Sequence, residues 1–295
     1  MSGAPADRGS IELGGVPGCA IGVVRAGDEP EHIFGGSRRA GEPVNAATIW
    51  EAASLTKPLV TLGALALGGG DPTFLTRPLE VQPSAVGAVD DPRWRELTIR
   101  HLVTHTTGLP NWRPAGEPLA FVSDPGTFGY SGEGFELLLA ELCARVGASA
   151  LDLLEPHLRR LGMESSSFTF TLPVQATAAF GHDDHGRPVA KKQPEVPMGS
   201  GSLHTTLQDY LQFATGICSP ATLADPLLQA AARTMTETQI ELLPGHGRTF
   251  GWAYIDTPAG RVLWQHGDNP GFKHVVALRP VTGDGSGTGP DGGGV

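Results

Sequence analysis

"EAASLTKPLV" (residues 51–60) sets a serine, Ser54, three residues before a lysine, Lys57, where an apolar run begins. Two readings compete for it. In one, Ser54 caps a helix by accepting a bond from an orphan backbone N–H, and Lys57 reaches water. In the other, Ser54 is a nucleophile and Lys57, one helical turn on and on the same face, is its base. From Ser54 to Leu67 the residues Leu55, Leu59, Leu62, Leu65 and Ala66 recur at helical spacing, and glycines 68–70 stop the run. The segment is apolar almost all round, which describes a helix buried inside a protein, and Pro58 is tolerable close to the first turn. A helix N-terminus favours negative charge. It suits an oxyanion and is a poor place for an idle lysine.

On the amino-terminal side, "PGCAIGVVRAGDEPEHIFGGSRR" (17–39) reads as two strands around a turn. Beyond residue 76 the character changes. "LTIRHLVTHTTGLP" (97–110) reads as a short helix closed by Gly108 and Pro110, "GEGFELLLAELCARVG" (132–147) as an amphipathic helix, and "ALDLLEPHLRRLGM" (150–163) as another, interrupted at Pro156. After the helix in "TTLQDYLQFATGI" (205–217), "FGWAYIDTPAGRVLWQHGDNPGFKHVVALRP" (250–280) returns to strand–turn–strand patterning. Strands, helices, then strands again predict an α+β fold: an antiparallel sheet built from both chain ends and flanked by helices, with an inserted helical domain. The expected division is 16–75 with 202–280 for the sheet domain, 76–201 for the insertion and 281–295 for a flexible tail. That tail holds seven glycines in fifteen residues.

Composition narrows the function. With 21 basic and 31 acidic residues the 295-residue chain carries −10, so a nucleic-acid partner is not expected. Lysines stand only at 57, 191, 192 and 273, which adds interest to Lys57. Cys19, Cys143 and Cys218 are too few and scattered for a disulfide framework or a metal site. "MSGAPADRGSIELGG" lacks a signal-peptide pattern and no run approaches 18 apolar residues, so no membrane partner and a cytoplasmic location are expected. The sequence leaves the oligomeric state open.

Two further motifs complete the pattern. In "PGTFGYSGEGFELL" (125–138), Tyr130 and Ser131 sit in a glycine-flanked loop before a helix, where Ser131 could be an ordinary cap. In "WQHGDNPGF" (264–272) a strand reaches Gly267 and turns. Together with Ser54-x-x-Lys57 these motifs resemble the serine β-lactamase and penicillin-binding-protein superfamily. The nearest branch is that of the class C β-lactamase-related esterases, D-amino-acid peptidases and acyltransferases. "TIRHLVTHTTGLPNW" and "GSGSLHTTLQDYLQF" are similar to flanking segments of that branch, and the resemblance runs from about 16 to 280.

It implies a β-lactamase/transpeptidase-like fold and a serine hydrolase acting through an acyl-enzyme on an ester or amide, without a cofactor. Ser54 would be the nucleophile, Lys57 the base and Tyr130 the proton shuttle, with the backbone N–H groups of Ser54 and Asp268 forming the oxyanion hole. β-Lactam or D-Ala-D-Ala cleavage, and a catalytically silent binding homologue, are the alternatives.

Departures from the family pattern bear on the substrate. Gly132 stands where many relatives carry an amide-binding asparagine. At the carboxy-terminal motif, strand alternation favours Gln265 and Gly267 facing the site with His266 turned away; the other register would use His266 itself. Either way no fixed cation is expected for a substrate carboxylate, which favours a neutral substrate. His101 with His105, and His182 with His185, invite a metal reading, but the first pair lacks the glutamate of a zinc protease and the second resembles a polar turn. The resemblance also implies a further strand and a long helix after "FKHVVALRP", which the sequence as given would lack.

Overall fold

A computed structural model describes residues 15–25, 28–71 and 73–280 of the chain. It opens with β1 (Gly18–Val23) paired antiparallel to β2 (Glu31–Arg39), which turns back through β3 (Glu42–Pro43). β4 (Trp50–Glu51) then leads through a tight 3-10 turn, Ala53–Leu55, into α1 (Thr56–Gly68). The middle of the chain is helical: α2 (Ile99–Thr104), α3 (Gly132–Val146), α4 (Ala150–Arg160) and α5 (Leu172–Thr177). β5 (His204–Thr205), α6 (Leu207–Cys218) and α7 (Pro226–Thr234) follow. Last come β6 (Ile240–Leu243), β7 (His246–Arg248), β8 (Ala253–Thr257), β9 (Gly260–Asn269) and β10 (Phe272–Leu278), an antiparallel sheet in the order β10-β9-β8-β7-β6.

The α+β class expected from the pattern is what folds. Among the described residues the amino-terminal three strands and the carboxy-terminal five form separate ladders. The glycine-rich segment, and the strand and helix expected to be missing after it, lie outside the described residues.

α1 is the central helix. Leu59, Val60, Thr61, Leu62 and Ala64 are fully buried, and it packs against α7, α3 and α4. Trimming one such leucine to alanine costs about 2–5 kcal/mol. Gly69, at φ 58°, ends the helix in the left-handed conformation that glycine adopts without strain.

Two expected boundaries are corrected. α4 runs unbroken through Pro156, because Pro156 and Asp152, whose carbonyl the proline leaves unpaired, both face solvent. α2 ends at His105 rather than at Gly108, since His105 itself adopts φ 59°.

Two features of the fold build the site. The β4–β5 ladder pairs Glu51 with His204, and Ala52 N–H donates to Leu203 O (2.8 Å), so residues far apart in sequence flank Ser54. β8 pairs with β9 only as far as Trp264, so Gln265 to Asn269 are bonded to β10 alone. Their other edge is free for the residues of the site.

Candidate active site

Ser54 caps nothing. Its turn has no side-chain cap bond; instead Lys57 Nζ donates to Ser54 Oγ (3.0 Å) and to Ser200 O (2.8 Å). Lys57 is 1% exposed, which removes the water-reaching reading. The residue before the serine, Ala53, is held at φ 51°, a left-handed conformation that costs an L-residue about 1–2 kcal/mol. The surroundings impose it. Thr56 Oγ1 donates to Ala53 O (2.7 Å) and accepts from Leu203 N–H (3.1 Å), while the buried Tyr210 hydroxyl donates to Leu55 O (3.1 Å).

Burial lowers the Lys57 ammonium below the usual lysine range; Tyr130 and Glu136 act in the opposite direction, and Arg248 adds to the lowering. Glu136 does not pair with Lys57 directly. It accepts from Ser200 N–H (3.1 Å), Gly199 N–H (3.3 Å) and the Ser200 hydroxyl, which fixes the strip whose carbonyl Lys57 uses. Burial also raises Glu136 above the ordinary carboxylate value.

Tyr130 stands beside this pair. Its hydroxyl accepts from Gln265 Nε2 (3.2 Å), and Lys57 Nζ lies 5.1 Å from its ring centre. Its ring stacks on His105, centroids 4.4 Å apart. His105 Nδ1 accepts the Ser131 N–H (3.1 Å), which places the proton of the neutral ring on Nε2, buried without a partner. Burial holds this imidazole well below the usual histidine range.

His105 is thus a support for the tyrosine loop. Its proposed partner is occupied elsewhere: His101 Nδ1 accepts from Thr98 N–H (3.2 Å). His185 lies in a turn organised by Asp183, which pairs with Arg187. Among the described residues no group of three or more histidine, cysteine or acidic side chains converges to hold a metal.

Along β9, Gln265 and Gly267 face inward. Gln265 is 1% exposed and its Nε2 also donates to Ser54 O (3.4 Å). His266 lies on the opposite face against Trp264 (6.1 Å), although its ring leans to 6.2 Å from that of Tyr130. Gly267 allows the closest approach: a Cβ there would stand 2.5 Å from Ala52 O, so the strand backbone presses on the Ser54 turn. The Asp268 side chain points outward to Lys273 (2.5 Å).

Gly132 is buried, and a Cβ on it would meet Asn111 O at 2.8 Å and the Trp112 ring at 2.9 Å. The 111–112 loop therefore fills the space an asparagine would need. Sequence reasoning missed Arg248, a buried guanidinium 5.9 Å from the Phe128 ring that adds to the lowering of Lys57. "HGRTFGW" gives no hint of it, because the neighbours that matter are more than a hundred residues away.

The sequence profile described as Beta-lactamase matches residues 8–287. The chain belongs to that family. Esterase EstB of Burkholderia gladioli is 27% identical over an alignment covering 78% of this chain and 72% of that protein. A class C β-lactamase superposes with a TM-score of 0.78 over 90% of this chain and 84% of its own, at 20% identity. A tyrosine-to-phenylalanine mutant of a class C β-lactamase gives the same score and identity over 90% and 85%. These structures show the fold alone. Among the described residues no helix is long and apolar enough to cross a membrane.

Proposed function

We infer that Ser54 is the nucleophile of an acyl-enzyme hydrolase, with Lys57 as its base and Tyr130 as the proton carrier. The observation that carries this is the 3.0 Å contact between Ser54 Oγ and a fully buried Lys57 that has no carboxylate bonded to it. Burial favours the neutral amine, which can accept the serine proton as Oγ bonds to the substrate carbonyl carbon. The backbone N–H groups of Ser54 and Asp268 would stabilise the resulting oxyanion; the pressure of Gly267 on the Ser54 turn supports that placement. As the tetrahedral intermediate collapses, Tyr130 gives its proton to the departing oxygen or nitrogen and regains one from Lys57. Water then repeats the sequence on the acyl-enzyme. Gln265, bonded to the tyrosine hydroxyl, orients it.

The protein is a serine hydrolase of the β-lactamase family, of the esterase-like kind, acting on small-molecule esters or amides. The likeness to an esterase favours the ester. A silent binding homologue is disfavoured by the intact Ser54, Lys57 and Tyr130 grouping. Intact-mass spectrometry with a fluorophosphonate tests the reading. One adduct is expected on the wild type and none on Ser54→Ala; an adduct that survives the substitution overturns the assignment.

A further inference from the structure

The two backbone donors assigned to the oxyanion lie far apart in sequence. Ser54 follows β4, and Asp268 stands near the end of β9. No local structure sets the distance between them, and β8 leaves β9 unsupported beyond Trp264. The contact of Gly267 with Ala52 O stops the strand from coming closer. A stop does not keep it from moving away.

Glu51, the last residue of β4, is placed to supply that restraint. It is 2% exposed. Asn269 Nδ2, one residue beyond Asp268, donates to its Oε1 (2.5 Å). His274 Nε2, on β10 and paired with Gly267, donates to its backbone carbonyl (2.9 Å). One residue of β4 is therefore bonded to both strands of the β9–β10 hairpin, on either side of the Asp268–Lys273 pair. Glu51 Oε2 accepts from Lys191 Nζ (3.3 Å), whose side chain is 5% exposed and lies over the Phe272 ring (4.7 Å). Each oxygen of the buried carboxylate thus has a donor, and a bond to a charged acceptor holds more firmly than one between neutral groups.

We propose that Glu51 is the positioning residue of the oxyanion hole, tying the tip of the β9–β10 hairpin to β4 so that the Asp268 N–H keeps its distance from the Ser54 N–H. The proposal rests on the reading above, in which those two groups receive the oxyanion. Glu51 acts through the hairpin and not on the substrate.

Asn269→Ala removes the side-chain tie and leaves the Glu51–Lys191 pair in place. On p-nitrophenyl acetate kcat should fall roughly tenfold to 100-fold, less than when an oxyanion donor is removed outright. KM should stay within about threefold, because acylation and deacylation each pass through an oxyanion and slow together. Asn269→Asp sets two carboxylates against each other and should lose more. Adding Glu51→Gln to it exchanges donor and acceptor across the same gap, leaves one carboxylate for Lys191, and should recover most of the lost kcat.

A second readout needs no turnover. Hydrogen exchange of residues 264–272, followed by mass spectrometry, should be faster in Asn269→Ala than in wild type and slow again in the Glu51→Gln/Asn269→Asp pair. Turnover that survives Ser54→Ala sinks the acyl-enzyme reading and leaves the exchange comparison standing. Unchanged exchange in Asn269→Ala overturns the role of Glu51. So does faster exchange with an unchanged kcat, or a paired variant with no more kcat than Asn269→Asp alone.

Discussion

A methyl group at position 267 would stand 2.5 Å from the carbonyl oxygen of Ala52 and 3.3 Å from Leu55 Cγ. An ordinary carbon–oxygen contact needs a further ~0.7 Å or more, and the obstacle is backbone on both sides, so Gly267→Ala must push β9 away from the Ser54 turn. Overpacking of this kind costs about 1–3 kcal/mol of stability. The effect on catalysis should be larger than on folding. A displacement on the order of 1 Å between reacting groups costs about 100-fold in rate, or roughly 2.7 kcal/mol of transition-state stabilisation.

The expected result on p-nitrophenyl acetate is a kcat lower by about 100-fold, with a Tm lower by only a few degrees for a domain of this size. Gly129→Ala is the matched control, because a Cβ there meets nothing within 4 Å although Gly129 adjoins Tyr130. It should keep wild-type activity within about threefold, the scatter of a neutral surface change. If Gly267→Ala kept kcat within the same range, the contact between β9 and the Ser54 turn would have no part in catalysis.

Because burial lowers Lys57, kcat/KM should rise with pH along a limb centred below the ordinary lysine value of about 10.4; a limb at or above it would contradict a neutral base. Glu136 acts to raise Lys57, so Glu136→Gln should move that limb to lower pH, and a shift upward would reverse the assigned sign. Burial holds His157 and His204 at about 4, against about 6.5 in an unfolded chain. The unfolded state therefore takes up these protons first on acidification. Stability should fall by about 3 kcal/mol per histidine as pH drops from about 6.5 to 4, then level off; urea midpoints unchanged between pH 7 and 4 would rule this out. Lys191→Met leaves the buried Glu51 carboxylate with the neutral Asn269 amide in place of its cation and should cost up to about 3–5 kcal/mol, part of which Glu51→Gln should restore in the double variant, as thermal melts would show.

The sequence alone marked out what depends on neighbours along the chain. Ser54 and Lys57 share a face because three residues make about one helical turn, and the apolar run through Leu65 announced a buried helix. The hairpins around "AGDEP", "TPAG" and "DNPG" follow from turn chemistry, and the alternation that sets Gln265 and Gly267 on one face follows from the pleat. Pro156 was misjudged because local propensity cannot know that a helix face meets water. α7, with Asp225 accepting from Leu227 N–H ahead of Pro226, carried a legible cap but only nine residues of pattern. What only the tertiary structure decided is the electrostatic setting of the site. Ser200 O reaches Lys57 across 143 residues, Gln265 reaches Tyr130 across 135, and His105 lies beneath Tyr130 as a neutral prop. Arg248 came to lie against Phe128 by the same route, its Nε and Nη2 buried without partners among the described residues, and no local pattern encodes that burial.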